Sequence, residues 1–210
     1  MRSPSPPRGQ LPPGRCPRCA FPSGASCLCR SIPRLSVPCR VVVVRHASEI
    51  PRLSNTGRWA AAALEGATVF DHALDDSRSD DGLGALLDDG PVWLLYPSAH
   101  AGAPRGPPPR TIVVPDATWA QARRMVQRIA PLRTLPRLAL PPAPPAARLR
   151  QPPRAGGMST LEAIAGALDH LGDAASAGAL RALHRCAVEK ALRLKGTWPP
   201  ASTHHDRESR

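Results

Sequence analysis

Aromatic side chains are scarce in this chain of 210 residues, which has 4 Trp, 2 Phe and 1 Tyr, together 3% of the sequence. An aromatic-rich interior is therefore excluded, and the core must be built from Val, Leu, Ile and Ala. Acidic side chains are scarce as well: 16 Asp and Glu are outnumbered by 28 Lys and Arg, which gives a formal net charge of +12. A biased coding composition explains the preference for Arg over Lys, but it does not require this excess of cations. The charge therefore indicates an anionic partner, and the phosphate backbone of nucleic acid is the natural one.

Long apolar runs are missing too. The apolar run Val41 to Val44 is far shorter than the roughly 20 residues that span a bilayer, so no membrane role is implied. Residues 1 to 13 carry two arginines but no apolar run, which predicts neither a secretory signal nor an amphipathic transit helix. We therefore expect a cytoplasmic chain, in which the six cysteines are reduced or metal-bound rather than disulfide-linked.

The pattern of the chain predicts one α/β domain plus a small module. Apolar runs predict buried strands at 41–44, 68–70, 92–96, 111–114 and about 137–140. Helical patterns predict helices at 57–65, 81–87, 118–129, 159–171 and 176–195. This alternation predicts a mostly parallel sheet with helices flanking both faces. The Pro-rich tail 1–14 and the polar tail 198–210 are predicted to be disordered.

Four of the six cysteines fall within 14 positions: Cys16, Cys19, Cys27 and Cys29. Four thiolates can hold a tetrahedral zinc ion, and such a site is structural because no coordination position stays open for water. An incidental cluster, two oxidised pairs and an iron–sulfur cluster remain alternatives. Cys39 and Cys186 lie outside the cluster and are interpreted as small core residues.

The stretch Asp116-Ala117-Thr118-Trp119 closes an apolar strand and opens a basic helix. It brings a carboxylate to the carboxyl end of a strand, where ligands bind in open α/β sheets. The alternative is helix capping, since Thr118 with Gln121 makes a capping box and Asp116 favours the helix dipole. A second capping box is predicted at Ser159 and Glu162.

The ordered stretches Ser54-Asn55-Thr56-Gly57-Arg58, Tyr96-Pro97-Ser98, Asp116-x-Thr118-Trp119 and Ser159-Thr160-x-Glu162, preceded by the cysteine quartet, resemble the DTW-domain family. The resemblance covers about Arg15 to Leu194. His46-x-x-Glu49 also resembles a family stretch, although Ala47 replaces the usual proline. The family is related to the SPOUT methyltransferases. The resemblance therefore implies a SPOUT-like fold with a C-terminal trefoil knot, a four-cysteine zinc-binding module at 15–38 and a catalytic domain at 39–197.

By resemblance, the chain is expected to be a tRNA-uridine aminocarboxypropyltransferase. Such an enzyme moves the 3-amino-3-carboxypropyl group of S-adenosylmethionine to N3 of a uridine and releases methylthioadenosine. All three carbons on the sulfonium are activated, so selectivity must come from which carbon is held in line with the nucleophile. N3 must lose a proton, and it lies on the Watson–Crick edge, so the target must be unpaired or extruded. Asp116 is the expected general base, while anchoring the ribose or shielding the sulfonium charge are alternative roles.

The remaining site residues also follow from the resemblance. Thr118 and Trp119 are placed with Asp116 in the catalytic motif. The donor pocket is expected to contain Asp116 together with Tyr96, Pro97, Ser98, Gly157, Ser159, Thr160 and Glu162. Candidate RNA contacts are Arg52, Asn55, Arg58, Arg123 and Arg124, with Arg128 and Arg133 nearby.

Each of these assignments has a structural alternative. For Trp119 the alternative is a buried side chain that packs its helix on the sheet. Glu162 can be only the capping partner of Ser159, His46 a satisfied strand-end histidine, and the helical arginines a solvated face.

Two further functions remain open: a related RNA methyltransferase or ribosomal-RNA aminocarboxypropyltransferase, and a non-catalytic zinc-dependent RNA-binding protein. The small-molecule by-product identifies methyl transfer, because S-adenosylhomocysteine replaces methylthioadenosine. The expected partner is tRNA, with neither DNA nor a membrane implied. The sequence does not indicate an oligomeric state.

Overall fold

The fold is described from a computed structural model, which covers residues 10–72, 78–87, 89–98, 102–143, 147–150 and 156–197, with backbone alone at 78–80. The predicted tail 198–210 and most of the tail 1–14 lie outside these residues. So do positions 151–155 of the loop that precedes the second capping box.

Five strands form one parallel sheet: β1 (Arg40–His46), β2 (Thr68–His72), β3 (Val92–Leu95), β4 (Thr111–Asp116) and β5 (Arg137–Leu138). Their order across the sheet is β2-β1-β4-β3-β5. All five predicted strands are confirmed, and Asp116 ends β4 as expected. Strand β5 is shorter than predicted because Ala139 leaves the ladder and forms an antiparallel bridge with Gly102.

Six α-helices accompany the sheet within the described ranges: α1 (Thr56–Ala63), α2 (Arg78–Leu87), α3 (Trp119–Arg128), α4 (Ala130–Arg133), α5 (Thr160–His170) and α6 (Ala174–Leu194). Five were predicted to within three residues at each end, and both capping boxes are present. Helix α4 was missed. Its proline lies in the first turn, where a missing N–H costs nothing, and the preceding helix was predicted to end just before it, at about Ile129.

Both faces of the sheet are covered, as predicted. Val41 and Val43 of β1 point into a core shared with α1, α5 and α6, while Val42 and Val44 point into a second core with α2, α3 and α4. Continuous valine therefore suits β1, because both of its faces are buried.

The topology opens a crevice above the middle of the sheet. The connection from β1 to β2 runs through α1 on one face of the sheet. The connection from the neighbouring β4 to β5 runs in the other direction, through α3 and α4 on the opposite face. Adjacent strands with divergent crossovers define a topological switch point, where ligands bind at the carboxyl ends.

The described residues do not show the trefoil knot, which stays a prediction. Among the described helices, none is both long and apolar enough to cross a membrane.

The cysteine module packs directly on α1. Cys19, Phe21 and Leu28 are buried in the same core as α1, α5 and α6. Trp59 of α1 donates its indole N–H to the Cys19 carbonyl at 2.9 Å, and its ring centroid lies 5.7 Å from that of Phe21. The module and the sheet domain therefore share one hydrophobic core.

Candidate active site

A cavity of about 400 Å³ opens at the carboxyl ends of β3, β4 and β5. This volume is in the range of small-molecule sites. Its walls combine apolar side chains of the strand ends and of α5 with a few polar groups. The polar or aromatic lining residues are Ser54, Thr56, Tyr96, Asp116, Thr118, Trp119, Arg148, Arg150, Ser159, Thr160 and His184.

Asp116 lines this cavity with a carboxylate that is almost wholly buried, at 4% exposure. The hydroxyl of Thr160 donates to its Oδ1 at 2.6 Å, and the side-chain amide of Asn55 donates to its Oδ2. Both donors are neutral. The two hydrogen bonds fix the carboxylate plane and leave each oxygen with acceptor capacity.

The start of α1 is built around this carboxylate. Asn55 is the N-cap of α1: its Oδ1 accepts from the backbone N–H of Arg58 at 3.0 Å, while its Nδ2 donates to Asp116. Position 57 is glycine for a steric reason, because a Cβ there would lie 2.7 Å from Cγ of Asp116. The Asn-Thr-Gly stretch therefore lets the helix start approach the carboxylate closely.

Burial raises the pKa of Asp116, and the hydrogen bonds from Thr160 and Asn55 only partly offset this effect. Arg45 is its register partner on β1, but the Arg45 guanidinium pairs with Asp71 at 2.6 and 2.9 Å. The cation of the neighbouring strand is thus already engaged.

Two arginine–glutamate pairs also border the cavity, through the lining residues Arg148 and Arg150. Arg148 binds Glu162 through three contacts of 2.9 to 3.1 Å, and Arg150 binds the fully buried Glu49 at 2.6 and 3.0 Å. Burial acts to raise the pKa of Glu162, but hydrogen bonds from Arg148 and Ser159 outweigh it and hold the pKa below its usual value. Hydrogen bonding to Glu49 raises the pKa of Arg150.

Helix α3 supplies the rim of the cavity. Thr118 caps the helix through Gln121, so its side chain has the capping role that the sequence offered as an alternative. Trp119 is 38% exposed and lines the cavity, so the alternative of a buried packing role is wrong. The guanidinium of Arg137 lies over the Tyr96 ring at 5.6 Å, beside the same opening.

The residues predicted for a donor pocket are only partly brought together. Tyr96, Pro97, Ser159 and Thr160 line the cavity with Asp116. The lining does not include the described residues Ser98, Gly157 and Glu162. The Glu162 carboxylate is taken up by the capping box and by Arg148.

The predicted RNA contacts divide into exposed and buried residues. Arg52, Arg123 and Arg124 are exposed. Asn55 is 1% exposed and Arg58 is 7% exposed, and most of their side-chain polar atoms bind the protein itself. The Arg58 guanidinium donates to the carbonyls of Pro17 and Ile50 at 2.8 and 2.6 Å. An RNA contact is therefore not favoured for Asn55 or Arg58; both side chains instead organise the start of α1.

The four clustered cysteines form a candidate metal site. Their sulfurs all lie within 4.8 Å of one another, and the pairs Cys16–Cys29 and Cys19–Cys27 are 3.5 and 3.6 Å apart. Disulfide sulfurs would be about 2 Å apart, whereas zinc–sulfur bonds of about 2.3 Å in a tetrahedron give sulfurs about 3.8 Å apart. The geometry therefore fits a zinc ion, and the alternative of two oxidised pairs is wrong.

The module favours the ionised thiolate at one position of the quartet, Cys16. Burial acts to raise the pKa of Cys16, but backbone hydrogen bonds at Cys19 and Arg18 outweigh it and lower the pKa to about 7. Burial and the neighbouring thiols raise the pKa of Cys29, so a cation is needed for all four sulfurs to be ionised together.

Two residues of the cavity and one partner behind it, the Glu49 that pairs with Arg150, were missed from the sequence. Sequence reasoning gave no role to Arg148 or His184, and it named Glu49 only as part of a motif. His184 is 5% exposed and its Nε2 lies 3.4 Å from Ser159 Oγ. A histidine inside an amphipathic helical pattern gave no signal, and Arg148 follows a Pro- and Ala-rich stretch without periodicity.

The family model of the DTW domain matches residues 14–192, which is most of the chain. No solved structure matches this chain.

Proposed function

The chain belongs to the DTW domain family, and we propose that it is a tRNA-uridine aminocarboxypropyltransferase. It transfers the 3-amino-3-carboxypropyl group of S-adenosylmethionine to N3 of an unpaired uridine and releases methylthioadenosine. The observation that carries this proposal is Asp116, a buried carboxylate of raised pKa that faces a small-molecule cavity and is held by two neutral donors.

The residues of the cavity fit the donor. Leu95, Val114 and Leu138 make an apolar wall for a purine ring and its ribose. Arg148 and the Asp116 carboxylate offer opposite charges to a molecule that carries a carboxylate, an ammonium and a sulfonium. When bound, S-adenosylmethionine supplies a carbon that its sulfonium has already activated.

The residues of the chain then bind and orient the uridine and remove its N3 proton. Asp116 accepts the proton from uridine N3, and its raised pKa brings it nearer to the operating pH, where a general base works best. Asn55 and Thr160 hold the carboxylate plane during this step. Trp119, exposed at the rim, offers an aromatic face on which the extruded base stacks.

The RNA is held by the basic surface beside the cavity. Helix α3 carries Arg123, Arg124 and Arg128 on its exposed side, and Arg133 follows on α4. No acidic residue lies between positions 119 and 137 of the sequence, so this surface attracts phosphate along its whole length.

The test is to incubate the purified chain with unmodified tRNA and S-adenosylmethionine, and to analyse both the nucleosides and the small-molecule product by mass spectrometry. We expect aminocarboxypropyluridine together with methylthioadenosine. Methylated uridine with S-adenosylhomocysteine would identify a methyltransferase instead, and modification of ribosomal RNA alone would change the acceptor. Binding of tRNA without donor binding would favour a non-catalytic RNA-binding protein.

We further propose that the cysteine quartet binds a structural zinc ion. The Cys16→Ser variant should lose the bound metal and melt at a lower temperature, because the module is part of the core that covers α1. Cys186→Ser is the matched control, since Cys186 is a half-buried thiol outside the quartet. Metal analysis and thermal unfolding test this proposal. A wild-type protein that contains no metal and melts at the same temperature as Cys16→Ser would refute the zinc site.

A further inference from the structure

We propose that Arg148 binds the carboxylate of the donor and thereby selects a ligand with an intact aminocarboxypropyl group. This inference rests on the proposed function, because it takes S-adenosylmethionine as the occupant of the cavity. It adds a residue that recognises the aminocarboxypropyl end of that ligand rather than its adenosine end.

The position of Arg148 is unusual for an arginine. Its side chain is only 9% exposed, and it lines the same cavity as Asp116. A buried guanidinium is costly unless its charge is compensated, and here the compensation is a single glutamate. Glu162 receives Nε at 3.1 Å and Nη2 at 2.9 Å.

This pairing leaves part of the guanidinium unused. Arginine has five N–H donors in a planar fork, and the contacts with Glu162 involve only Nε and Nη2. Within the part of the chain that the structure describes, Nη1 has no hydrogen-bond partner. The planar fork binds carboxylates through paired hydrogen bonds, so the unused donors suit a second carboxylate, supplied by a ligand.

One helix start fixes two charged groups of the cavity, Arg148 and Asp116. Glu162 is the third residue of α5 and forms the capping box with Ser159, in which its Oε2 accepts from the Ser159 backbone N–H at 2.8 Å. The neighbouring Thr160 donates to Asp116. The first turn of α5 therefore positions Arg148 through one side chain and the catalytic carboxylate through another.

Arg150 is the competing candidate, because it also lines the cavity. Its side chain is 39% exposed, and both Nη atoms bind Glu49, with Nη2 also near the Ser54 carbonyl at 3.4 Å. The greater solvent exposure weakens a hydrogen bond to a ligand, because water competes for the same donors. Arg148 is therefore the arginine whose contact with the donor is better shielded.

The experiment compares binding of three ligands by calorimetry, without RNA: S-adenosylmethionine, its decarboxylated form and methylthioadenosine. Wild-type protein should bind S-adenosylmethionine about 10-fold or more tightly than the decarboxylated form, as expected for a hydrogen bond to a charged group. In Arg148→Lys, which keeps the charge opposite Glu162 but loses the fork, the ratio should fall to about threefold or less. Binding of methylthioadenosine, which lacks the whole group, should stay the same.

Three outcomes would overturn the assignment. The first is a wild-type protein that does not distinguish the carboxylated from the decarboxylated ligand. The second is an Arg148→Lys variant that weakens all three ligands equally, as a structural role predicts. The third is loss of the discrimination in Arg150→Lys while Arg148→Lys keeps it.

Two further variants sharpen the comparison. Arg185→Lys, at an exposed position of α6, is the silent control. Glu162→Gln retains a capping residue and should weaken the discrimination by freeing Arg148.

The same experiment separates this inference from the proposed reaction. Selective binding that depends on Arg148, found in a protein that transfers nothing to tRNA, would refute the reaction and support the carboxylate site. If the wild-type protein modifies tRNA but the Arg148→Lys variant still prefers S-adenosylmethionine to its decarboxylated form, the reaction would be supported and the carboxylate site refuted.

Discussion

The carboxylates around the cavity are held in two opposite ways, by arginines at Glu49 and Glu162, which we call the arginine side, and by neutral donors at Asp116, which we call the Asp116 side. On one side, Glu49 and Glu162 each face an arginine, and Glu162 has a lowered pKa. On the other side, Asp116 receives hydrogen bonds from the neutral side chains of Asn55 and Thr160, and its pKa is raised. The surroundings of Glu162 therefore favour its ionised form, whereas those of Asp116 favour its protonated form.

In the proposed function, this difference would let one small cavity both bind a charged donor and abstract a proton. Ion pairing lowers the basicity of a carboxylate, because the cation stabilises the ionised form. A general base must keep its basicity, so it needs donors that orient it without neutralising it. Arg45 is consistent with this requirement. Its register partner is Asp116, but its guanidinium binds Asp71 and therefore does not form an ion pair with Asp116.

The largest expected effect tests the Asp116 side. Asp116→Asn keeps the size of the side chain but removes its basicity, so single-turnover transfer to tRNA should fall by about 10²- to 10⁴-fold. Binding of tRNA, measured by gel shift, should change little because Asp116 is buried. Asp89→Asn is the matched control, since Asp89 is exposed and pairs with Arg110 on the surface. Equal loss of transfer and tRNA binding would make Asp116 a structural residue.

Much of the Asp116 side could be predicted from the sequence. The valine run, the strand that ends at Asp116 and the two capping boxes are local patterns, in which a few neighbouring residues decide the structure. The cysteine quartet is also local, because the four ligands fall within one short segment.

The side-chain contacts of the cavity could not be predicted, because most of them join distant parts of the chain, as Asn55 and Asp116 do across 61 positions. Glu49 and Arg150 are 101 positions apart, and no periodicity relates them. The burial of Arg58 was missed for the same reason. Arginine is usually exposed, and this one is buried because carbonyls of Pro17 and Ile50, at the module and the β1 loop, accept its N–H groups.

The second effect tests the arginine side through stability. Glu162→Ala leaves Arg148 buried without a counter-charge and removes the capping box, so the free energy of unfolding should fall by about 3 kcal/mol or more. Glu65→Ala breaks the exposed pair with Arg34 and should cost less than about 1 kcal/mol. Urea unfolding measures both variants. Equal losses would mean that Arg148 is hydrated and that the two sides of the cavity do not differ in the way described.

A third effect uses pH, and the two sides should respond with opposite signs. The raised pKa of Asp116 means that its contribution to stability is present at acid pH and is lost as the pH rises through its pKa in the folded state. Asp116→Asn should therefore gain stability relative to wild type as the pH rises from about 4.

The lowered pKa of Glu162 has the opposite consequence: its contribution is present above the ordinary glutamate pKa and is lost as the pH falls through the folded-state value. The advantage of wild type over Glu162→Gln should therefore shrink toward acid pH. Unfolding free energies of the three proteins between about pH 2 and pH 8 measure both trends. Parallel trends would contradict the assignment of one carboxylate whose surroundings favour the protonated form and one whose surroundings favour the ionised form.

The smallest effect asks how far the neutral donors tune Asp116. The Thr160 hydroxyl donates to Oδ1 at 2.6 Å and lowers the pKa that burial raises, so Thr160→Val should raise this pKa further. A hydrogen bond to a charged group contributes about 1.5 kcal/mol, which corresponds to a shift of about one pH unit in the midpoint of the transfer rate. Thr160→Ser keeps the hydroxyl and should keep the wild-type midpoint. Thr160 also lines the cavity, so its loss can slow transfer at every pH, and only the midpoint reports on the hydrogen bond. An unchanged midpoint in Thr160→Val would mean that another group sets the pH dependence of the reaction.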